Sequence, residues 1–249
     1  MRRPSSRLAE GIVSHIERQP VDVVLAERQW HDYVAALRNA RWVVREVPRL
    51  ESAPDSVFIE DTVVMFREVA IIARPGHDAR RSETTDVEAV LRDMGCNIAR
   101  ILAPGTLDGG DVLKAGATVY IGLGGRTNQT GIDQFTRIVQ PLGAVVVPVP
   151  VSKVLHLKSA VTALPDGTII GWDAALDDTS VFPHYLSMPE ESGAHVVVLD
   201  QHRLLMAADA PQSAALLESL GYTVVRVDIS EYEKLEGCVT CLSVRLRHR

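Results

Sequence analysis

The sequence is poor in cysteine and aromatic residues and contains no long apolar run. Its three cysteines (Cys96, Cys238 and Cys241) are too few, and odd in number, for a disulfide framework. This scarcity indicates a reducing, cytoplasmic environment, in which a cysteine is packed, binds a metal or acts as a nucleophile. Neither a membrane span nor a secretory signal is predicted, because no apolar run is long enough and the N-terminal segment lacks a continuous apolar region.

The chain also lacks an excess of positive charge. Its 26 Lys and Arg residues are outnumbered by 32 Asp and Glu residues, which gives a formal net charge of −6. A mildly acidic protein is a poor general binder of nucleic acid or anionic membranes, so neither partner is expected. The 249 residues, 46% hydrophobic and 23% charged, are typical of a globular protein that buries a core without a disulfide or metal.

Four segments with apolar residues at helical spacing are predicted as helices. They are VVLAERQWHDYVAALRNA with Asp22 as its N-cap, TTDVEAVLRDMG, NQTGIDQFTRIVQPLG and APQSAALLESLG. Three of them end at Gly95, Gly143 and Gly221, where glycine supplies a left-handed cap, and the first ends at Asn39. A strand-like run follows each helix, namely WVVREV, NIARIL, AVVVPV and YTVVRV.

Pairs of short strand-like segments lie between the helices. They are TVVMF and VAIIA, DVLKA and TVYIG, VTALP and TIIGW, and HVVVL and RLLMA. The unit of two strands, a helix and a strand recurs about every 50 residues, which is typical of a repeat architecture. One degenerate unit, with a short helix, is expected between Asp173 and Pro189. No phosphate-binding loop is present, and GLGGR at 122–126 lacks the third glycine of a dinucleotide-binding turn.

Five polar clusters lie between the predicted elements, where functional side chains concentrate. They are Glu60-Asp61, Asp108-Gly109-Gly110-Asp111, Arg126-Thr127-Asn128, His156-Leu157-Lys158-Ser159 and Cys238-Val239-Thr240-Cys241. The first four also have structural interpretations: an exposed charge pair on an edge strand, a tight turn, a helix cap, and a histidine satisfied by its surroundings. Each cluster by itself leaves these alternatives open.

The Cys-x-x-C pair at 238 and 241 has three interpretations. A structural zinc site would need a second pair of ligands, and only Cys96 and scattered histidines remain. A thioredoxin-like redox pair would open a helix, whereas LSVRLR after Cys241 is predicted as a strand. A single catalytic thiol with a bystander requires a histidine and carboxylates beside it, and the spacing cannot place them there.

Six motifs together resemble a known family. They are FIEDTVV, RPGHDARRSE, TLDGGDVL, GRTNQTG, HLKSAVT and GCVTCLSV, in this order between about residues 20 and 246. In this combination the chain resembles the dimethylarginine dimethylaminohydrolase (dimethylargininase) family of the guanidino-group-modifying superfamily. The resemblance implies a five-bladed α/β propeller of ββαβ modules, the pentein fold, as a single domain 1–249. This agrees with the repeat, because five units of about 50 residues account for the whole length.

The resemblance also implies the catalytic residues. Cys241 is expected to be the nucleophile, with Cys238 as a bystander, and His156 the general acid and base. Asp61 and Asp108 are expected to hold the substrate's guanidinium group. These residue types suit the chemistry, because carboxylates bind a planar guanidinium through paired hydrogen bonds and a thiolate attacks its poorly electrophilic carbon.

Further binding residues follow from the same resemblance. Glu60 is expected beside the guanidinium-binding carboxylates. Arg80 and Arg126 are expected to take the substrate's α-carboxylate. Asp55 and the backbone near Leu235 are expected to take its α-amino end.

The implied activity is hydrolysis of Nω-methylated arginine to citrulline and dimethylamine or methylamine through a covalent thiouronium intermediate. No metal or cofactor is expected. The only partner expected is a small-molecule substrate, with the protein a monomer or homodimer. Two alternatives stay open: an arginine deiminase that releases ammonia, and a module that binds the cationic amino acid without turnover.

The N-terminus departs from the family pattern. A first strand and a leucine-bearing lid loop are expected before SRLAEGI, whereas this chain begins at MRRPSS. The N-terminal strand is therefore expected to be missing and the lid to be shortened or missing. An unpaired strand edge in the first blade would follow.

Overall fold

The computed structural model describes residues 1–246. The last three residues of the predicted domain, 247–249, lie outside the described residues. The helices are α1 (Val23–Asn39), α2 (Thr84–Asp93), α3 (Gln129–Val139), α4 (Pro211–Ser219) and α5 (Ser230–Glu233). The first six strands are β1 (Val63–Phe66), β2 (Val69–Ile72), β3 (Asn97–Arg100), β4 (Val112–Ala115), β5 (Thr118–Leu123) and β6 (Val145–Pro150). The last six are β7 (Val161–Ala163), β8 (Ile169–Gly171), β9 (Tyr185–Ser187), β10 (Val197–Val198), β11 (Arg203–Ala207) and β12 (Thr223–Val227).

Within residues 1–246 the strands form four three-stranded sheets of identical plan. The first two strands of each sheet are antiparallel, and the third lies parallel to the second. Helices α2, α3 and α4 make the crossover to the third strand in three sheets. In the sheet β7-β8-β9 the crossover holds only a 3₁₀ turn, Asp173–Ala175, where a short helix was expected. The predicted ββαβ repeat is confirmed, and with a first blade around α1 it gives the five-bladed α/β propeller.

Glycine ends the crossover helices as predicted. Gly95, Gly143 and Gly221 have φ values of 76°, 85° and 92°. A side chain at such a φ is strained, so glycine lets the chain leave the helix and enter the parallel strand within a few residues. These stops therefore set where the third strand of each blade begins.

The first blade differs from the other four. The predicted strand WVVREV, at 42–47, forms only an isolated parallel bridge between Arg2 and Val47. The Met1 amine donates to the Arg45 carbonyl at 2.8 Å, so two N-terminal residues stand where a partner strand is needed. The strand prediction was wrong, because an extended run without a partner of similar length cannot build a ladder.

The end of α1 also differs from the prediction. The left-handed residue after the helix is Arg41, with φ 70°, rather than the expected cap Asn39, which is the last helical residue. The N-terminal cap is confirmed, since the Asp22 carboxylate accepts the amides of Val24 and Leu25.

The strand predicted after Cys241 is also absent from residues 242–246, and the last residue of that run lies outside the described residues. The Arg245 guanidinium donates back to the Thr240 carbonyl at 3.3 Å and to the Ser243 carbonyl at 3.0 Å. These bonds fold the segment onto itself, so its backbone is not available for a ladder.

Helix α1 supports this C-terminal segment. Trp30 and Tyr33 are fully buried in the same apolar cluster as Val239 and Leu242. The Tyr33 hydroxyl donates to the Val239 carbonyl at 2.7 Å, between the two cysteines of the pair. The helix thereby fixes the cysteine-bearing turn through both apolar packing and a buried hydrogen bond.

Three polar clusters occupy equivalent places in successive blades. A 3₁₀ turn precedes the first strand in each case: Ile59–Thr62 before β1, Gly109–Asp111 before β4 and Leu157–Ser159 before β7. The second turn packs against both the first and the third. The repeat thus brings segments about 50 residues apart to one place at the centre of the propeller. No helix among residues 1–246 has the length and apolar character needed to cross a membrane.

Candidate active site

The three turns surround a buried histidine with carboxylates. His156 Nε2 lies 3.0 Å from Asp108 Oδ2, and Nδ1 lies 3.8 Å from Asp61 Oδ1. The three side chains are at most 3% exposed. The structural interpretation of Glu60-Asp61 as an exposed edge pair is therefore wrong, because both carboxylates are buried.

The two glycines of the Asp108–Asp111 turn allow this close approach. A Cβ atom on Gly109 would lie 2.0 Å from the Glu60 carbonyl, and one on Gly110 would lie 2.6 Å from His156 Nδ1. The Gly110 amide also donates to Asp61 Oδ1 at 2.8 Å. The turn is tight, as its sequence suggested, and its tightness brings histidine and carboxylate together.

The charges of this cluster stabilise one another. Burial lowers the pKa of His156, but the charge of Asp61 and the hydrogen bond to Asp108 outweigh it and raise the pKa to about 9. Burial raises the pKa of Asp61, but the positive charges of His156 and Arg80 lower it to about 2. The arrangement therefore holds a protonated imidazole at neutral pH, ready to donate a proton.

Arg80 is largely committed to the protein. Its Nη1 atom contacts Asp61 Oδ2 at 2.7 Å, and its Nε and Nη2 atoms contact both oxygens of Glu83 at 3.1 and 2.9 Å. Nη2 also donates to the Phe58 carbonyl at 3.1 Å. Only one N–H of Nη1 is left for a substrate carboxylate, so the main role visible here is to fix Asp61.

Arg126 has the opposite character. Its side chain is 12% exposed and lines the cavity described below, and its nearest acid contact is Asp108 at 4.0 Å. Its buried Nη1 atom has no hydrogen-bond partner among the described residues. A buried guanidinium with an unused donor is suited to an anionic ligand, which agrees with the predicted role.

A narrow cavity joins most of the predicted site residues. Its lining includes Asp55, Asp61, Arg80, Arg126, His156, Leu235 and Cys241. Two predicted residues lie outside the lining but touch it. Asp108 bonds to His156, and the Glu60 amide donates to the Cys241 carbonyl at 3.1 Å.

The N-terminal segment borders the cavity. The Ile12 amide donates to both oxygens of Asp55, at 3.0 and 3.2 Å, and Ile12 itself lines the cavity together with Leu235. The amides of Ser14 and His15 donate to the Glu236 carboxylate at 2.7 Å each. Residues 12–15 therefore lie beside the site, held by two carboxylates, and the expectation of a shortened or missing lid stays a prediction.

Glu60 lies in an ion cluster that sequence reasoning missed. Its Oε1 atom contacts Lys158 Nζ at 2.6 Å and Arg245 Nη2 at 3.0 Å. Burial raises the pKa of Glu60, but these two cations outweigh it and lower the pKa. Lys158 had been noted only as a neighbour of His156, and nothing in its spacing indicated a partner almost a hundred residues away.

Asp111 and Thr127 also contact the site, and neither was assigned a role from the sequence. The Thr127 hydroxyl donates to Asp111 Oδ2 at 2.6 Å and accepts the Asp108 amide at 3.1 Å. Asp111 Oδ1 accepts the Leu157 amide at 3.0 Å, next to His156. Burial raises the pKa of Asp111 to about 6 despite the nearby imidazole. The signal was present in the sequence as the second acid of the turn.

The two cysteines are in direct contact. Cys241 Sγ lies in the cavity lining, 3.4 Å from Cys238 Sγ. The hydrogen bond from Cys241 lowers the pKa of Cys238 to about 5, whereas that bond and burial raise the pKa of Cys241. When one thiol of the pair has lost its proton, the remaining proton is shared between the two sulfurs. Cys238 is therefore in direct contact with Cys241 rather than a bystander at a distance.

The zinc interpretation of the cysteines has no support in the described residues. The one group of potential metal ligands there is Asp61, Asp108 and His156, whose ligand atoms lie within 4.8 Å of one another. Their donor types would suit a divalent cation. In this structure the same atoms are engaged with each other and with Arg80.

Curated proteins of similar length resemble this chain. An N(G),N(G)-dimethylarginine dimethylaminohydrolase of Streptomyces coelicolor is 60% identical over 247 residues, 99% of this chain and 96% of that protein. The protein of the same name from Pseudomonas aeruginosa is 36% identical over 248 residues, 98% of this chain and 97% of that protein. No protein-family model matches the sequence.

Solved structures show the same fold. The structure of the Pseudomonas aeruginosa enzyme with citrulline has a TM-score of 0.91 at 33% identity and covers 98% of this chain and 97% of that chain. A dimethylarginine dimethylaminohydrolase adduct with S-methyl-L-thiocitrulline gives 0.92 at 33% identity, with the same coverage. The N-terminal domain of ArgZ, an arginine dihydrolase, gives 0.88 at 19% identity, covers 98% of this chain and 96% of that chain, and shows the fold alone.

Proposed function

Because the chain belongs to the dimethylarginine dimethylaminohydrolase family, we propose that it hydrolyses Nω-methylated arginines to citrulline and dimethylamine or methylamine. The observation that carries this proposal is His156, held between Asp61 and Asp108 in the same cavity as Cys241. A thiol, a proton donor and two carboxylates are the groups that this reaction requires.

The carboxylates supply the charge that a cationic substrate needs. Asp61 and Asp108 carry two negative charges, and the imidazolium of His156 balances one of them. A guanidinium entering beside Asp61 would balance the other, which offsets the cost of removing the cation from water. The Asp61 carboxylate would also orient the planar group by hydrogen bonds.

The amino-acid end of the substrate fits the other end of the cavity. We assign the α-carboxylate to Arg126, whose Nη1 atom has no hydrogen-bond partner among the described residues, with a smaller contribution from the free N–H of Arg80. Asp55 and the backbone near Leu235 are assigned to the α-ammonium group. Burial raises the pKa of Asp55, and a cation bound beside it would lower that pKa again.

The first chemical step is the attack of the Cys241 thiolate on the guanidinium carbon. A positive charge bound beside Cys241 draws the negative charge of the cysteine pair to that sulfur and leaves the proton on Cys238. His156 then gives its proton to dimethylamine or methylamine as the carbon–nitrogen bond breaks. The product of this step is a thiouronium linked to Cys241.

The second step releases citrulline. His156, now neutral, takes a proton from a water molecule that attacks the thiouronium carbon. The carbon–sulfur bond breaks, Cys241 leaves as a thiolate, and the imidazole is protonated again. The second proton of the water is lost to solvent as the carbonyl group of citrulline forms. Asp61 and Asp108 favour that return, because they raise the pKa of His156 to about 9.

A product assay tests the proposal. The protein is incubated separately with asymmetric dimethylarginine and with arginine, and citrulline, dimethylamine and ammonia are measured. We expect citrulline and dimethylamine in equal amounts from the first substrate. Citrulline and ammonia from arginine alone would indicate a deiminase, and calorimetric binding without citrulline would indicate a binding module.

Variants assign the nucleophile. Cys241→Ser should abolish turnover while leaving the circular dichroism spectrum unchanged, since the hydroxyl is a far weaker nucleophile at neutral pH. Cys96→Ser is the matched control, because Cys96 packs between α2 and β3, away from the cavity. Turnover by Cys241→Ser above background would remove Cys241 as the nucleophile.

Several sequence-based expectations stay predictions. They concern a single domain over residues 1–249, a monomer or homodimer in the cytoplasm, and catalysis without a cofactor. The expected ligand is a small molecule, as in the relatives solved with citrulline and S-methyl-L-thiocitrulline.

A further inference from the structure

The cysteine pair carries a property that the hydrolytic reaction does not use. Cys238 Sγ lies 3.4 Å from the nucleophile, although catalysis by a single thiol needs no second sulfur. Cys238 also contacts the Thr240 hydroxyl at 3.3 Å and the Lys158 carbonyl at 3.9 Å. These contacts hold its side chain against Cys241 rather than letting it point elsewhere.

The backbone between the cysteines is compatible with a bond between them. The Cys241 amide donates to the Cys238 carbonyl at 3.0 Å, which closes a four-residue turn. The Cα atoms of such a turn lie less than about 7 Å apart, inside the range that a disulfide can bridge. The sulfurs would need to approach from 3.4 Å to about 2 Å, a movement of side chains alone.

Small oxidants can reach the pair. Cys241 lines the cavity that we assign to the substrate, and a peroxide is much smaller than a methylated arginine. The hydrogen bond from Cys241 lowers the pKa of Cys238 to about 5, so one of the two sulfurs is a thiolate at neutral pH, and the thiolate is the form that reacts. In contrast, burial raises the pKa of Cys96.

We propose that Cys238 and Cys241 form a reversible disulfide that switches the enzyme off when hydrogen peroxide is present. The proton shared by the two sulfurs moves to Cys238, and the Cys241 thiolate that this leaves in the cavity attacks one peroxide oxygen. The oxygen–oxygen bond breaks and hydroxide leaves, which gives a sulfenic acid on Cys241. Cys238 attacks that sulfur and releases a second hydroxide, and the two thiol protons convert both to water. Two thiols are oxidised and one peroxide is reduced to two waters, so the step balances.

The device would serve two purposes in one step. The disulfide removes the nucleophile and so stops hydrolysis. It also protects Cys241, because a sulfenic acid without a neighbouring thiol is oxidised further to sulfinic acid, which dithiols do not reduce. Cys238 is thereby a resolving cysteine for the catalytic thiol.

The test is peroxide titration of the full-length protein with two readouts. Peptide mapping by mass spectrometry should find residues 238 and 241 linked, with the loss of two hydrogens. Hydrolysis should fall in proportion to the linked fraction and return fully with dithiothreitol. The mass readout does not depend on the proposed reaction, so failure of one is distinguishable from failure of the other.

Variants sharpen the result. In Cys238→Ser, peroxide should add two oxygens to Cys241, and dithiothreitol should restore none of the activity lost relative to the untreated variant. Cys96→Ser should behave as the wild type in both readouts. The proposal is overturned if wild-type Cys241 reaches the sulfinic acid while Cys238 stays reduced, or if peroxide modifies Cys96 before the pair.

Discussion

His156 Nε2 lies 3.0 Å from Asp108 Oδ2, and neither side chain is more than 3% exposed. A hydrogen-bonded carboxylate beside a buried imidazole stabilises the protonated ring, and Asp61 acts on the other nitrogen. This relationship decides the acid–base properties of the site.

The first prediction concerns the dependence of activity on pH. The pKa of His156 in the free protein is raised to about 9, so kcat/KM should fall as the pH rises through that value. In Asp108→Asn the descending limb should move to lower pH by roughly one unit or more, because a charged partner is lost. If the descending limb does not move in Asp108→Asn, the group that titrates there is not His156.

The same shift affects stability. His156 titrates near 6.5 when unfolded and near 9 when folded, so its contribution to stability is complete below about pH 6.5 and disappears as the pH rises through about 9. The loss should be on the order of 3 kcal/mol in the free energy of unfolding. Urea titrations across this range measure it, and His156→Gln should flatten the profile.

The second prediction concerns Gly110. A methyl group in Gly110→Ala would lie 2.6 Å from His156 Nδ1 and 2.7 Å from Asp61 Oδ1, so the two side chains must separate. We expect kcat to fall about 100-fold, the effect of a displacement of about 1 Å at a reacting group. Gly125→Ala is the control, because nothing lies within 4 Å of its added carbon. Equal activity of the two variants would contradict the arrangement.

The third prediction assigns Asp111 a positioning role. Asp111 joins Thr127 to the amide of Leu157, so Asp111→Asn should loosen the turns that carry Asp108 and His156. We expect kcat to fall roughly 10-fold or more with little change in KM. Asp133→Asn, on the exposed face of α3, is the control. A pure increase in KM would instead indicate a role in binding.

Asp111 also has a pH signature of its own. Its pKa is about 6 in the folded protein, above its unfolded value, so its protonation favours folding. Its stabilising contribution is complete below about pH 4 and is lost as the pH rises through about 6. Asp111→Asn should remove this part of the stability profile in urea titrations.

The fourth prediction concerns substrate recognition by Arg126. Arg126→Gln should raise KM roughly 10- to 100-fold for methylated arginine with a smaller effect on kcat, since a charge-assisted bond to the α-carboxylate is lost. Decarboxylated methylarginine has no α-carboxylate, so it should bind to the wild type and to the variant with equal affinity. Arg137→Gln, exposed on α3, is the control. A change in kcat alone would contradict the assignment.

The sequence by itself determined the repeat. Apolar residues at helical spacing, glycine stops at 95, 143 and 221, and paired β-branched runs specify local structure, because each depends on neighbours within a few residues. The prediction failed at 42–47 and at 242–246, where the extended state depended on partners elsewhere in the chain. Strand propensity cannot supply a partner strand.

Only the tertiary structure decided how the site works. Segments around residues 60, 108, 156 and 241 meet because the blades close around a centre, and no spacing in the sequence encodes that distance. The tertiary structure also decided that the guanidinium of Arg80 is bound to Asp61 and Glu83, whereas Arg126 has an N–H donor without a partner among the described residues. The contact of Cys238 with Cys241 belongs to the same class, because a Cys-x-x-Cys spacing permits such contact and only the fold of the turn imposes it.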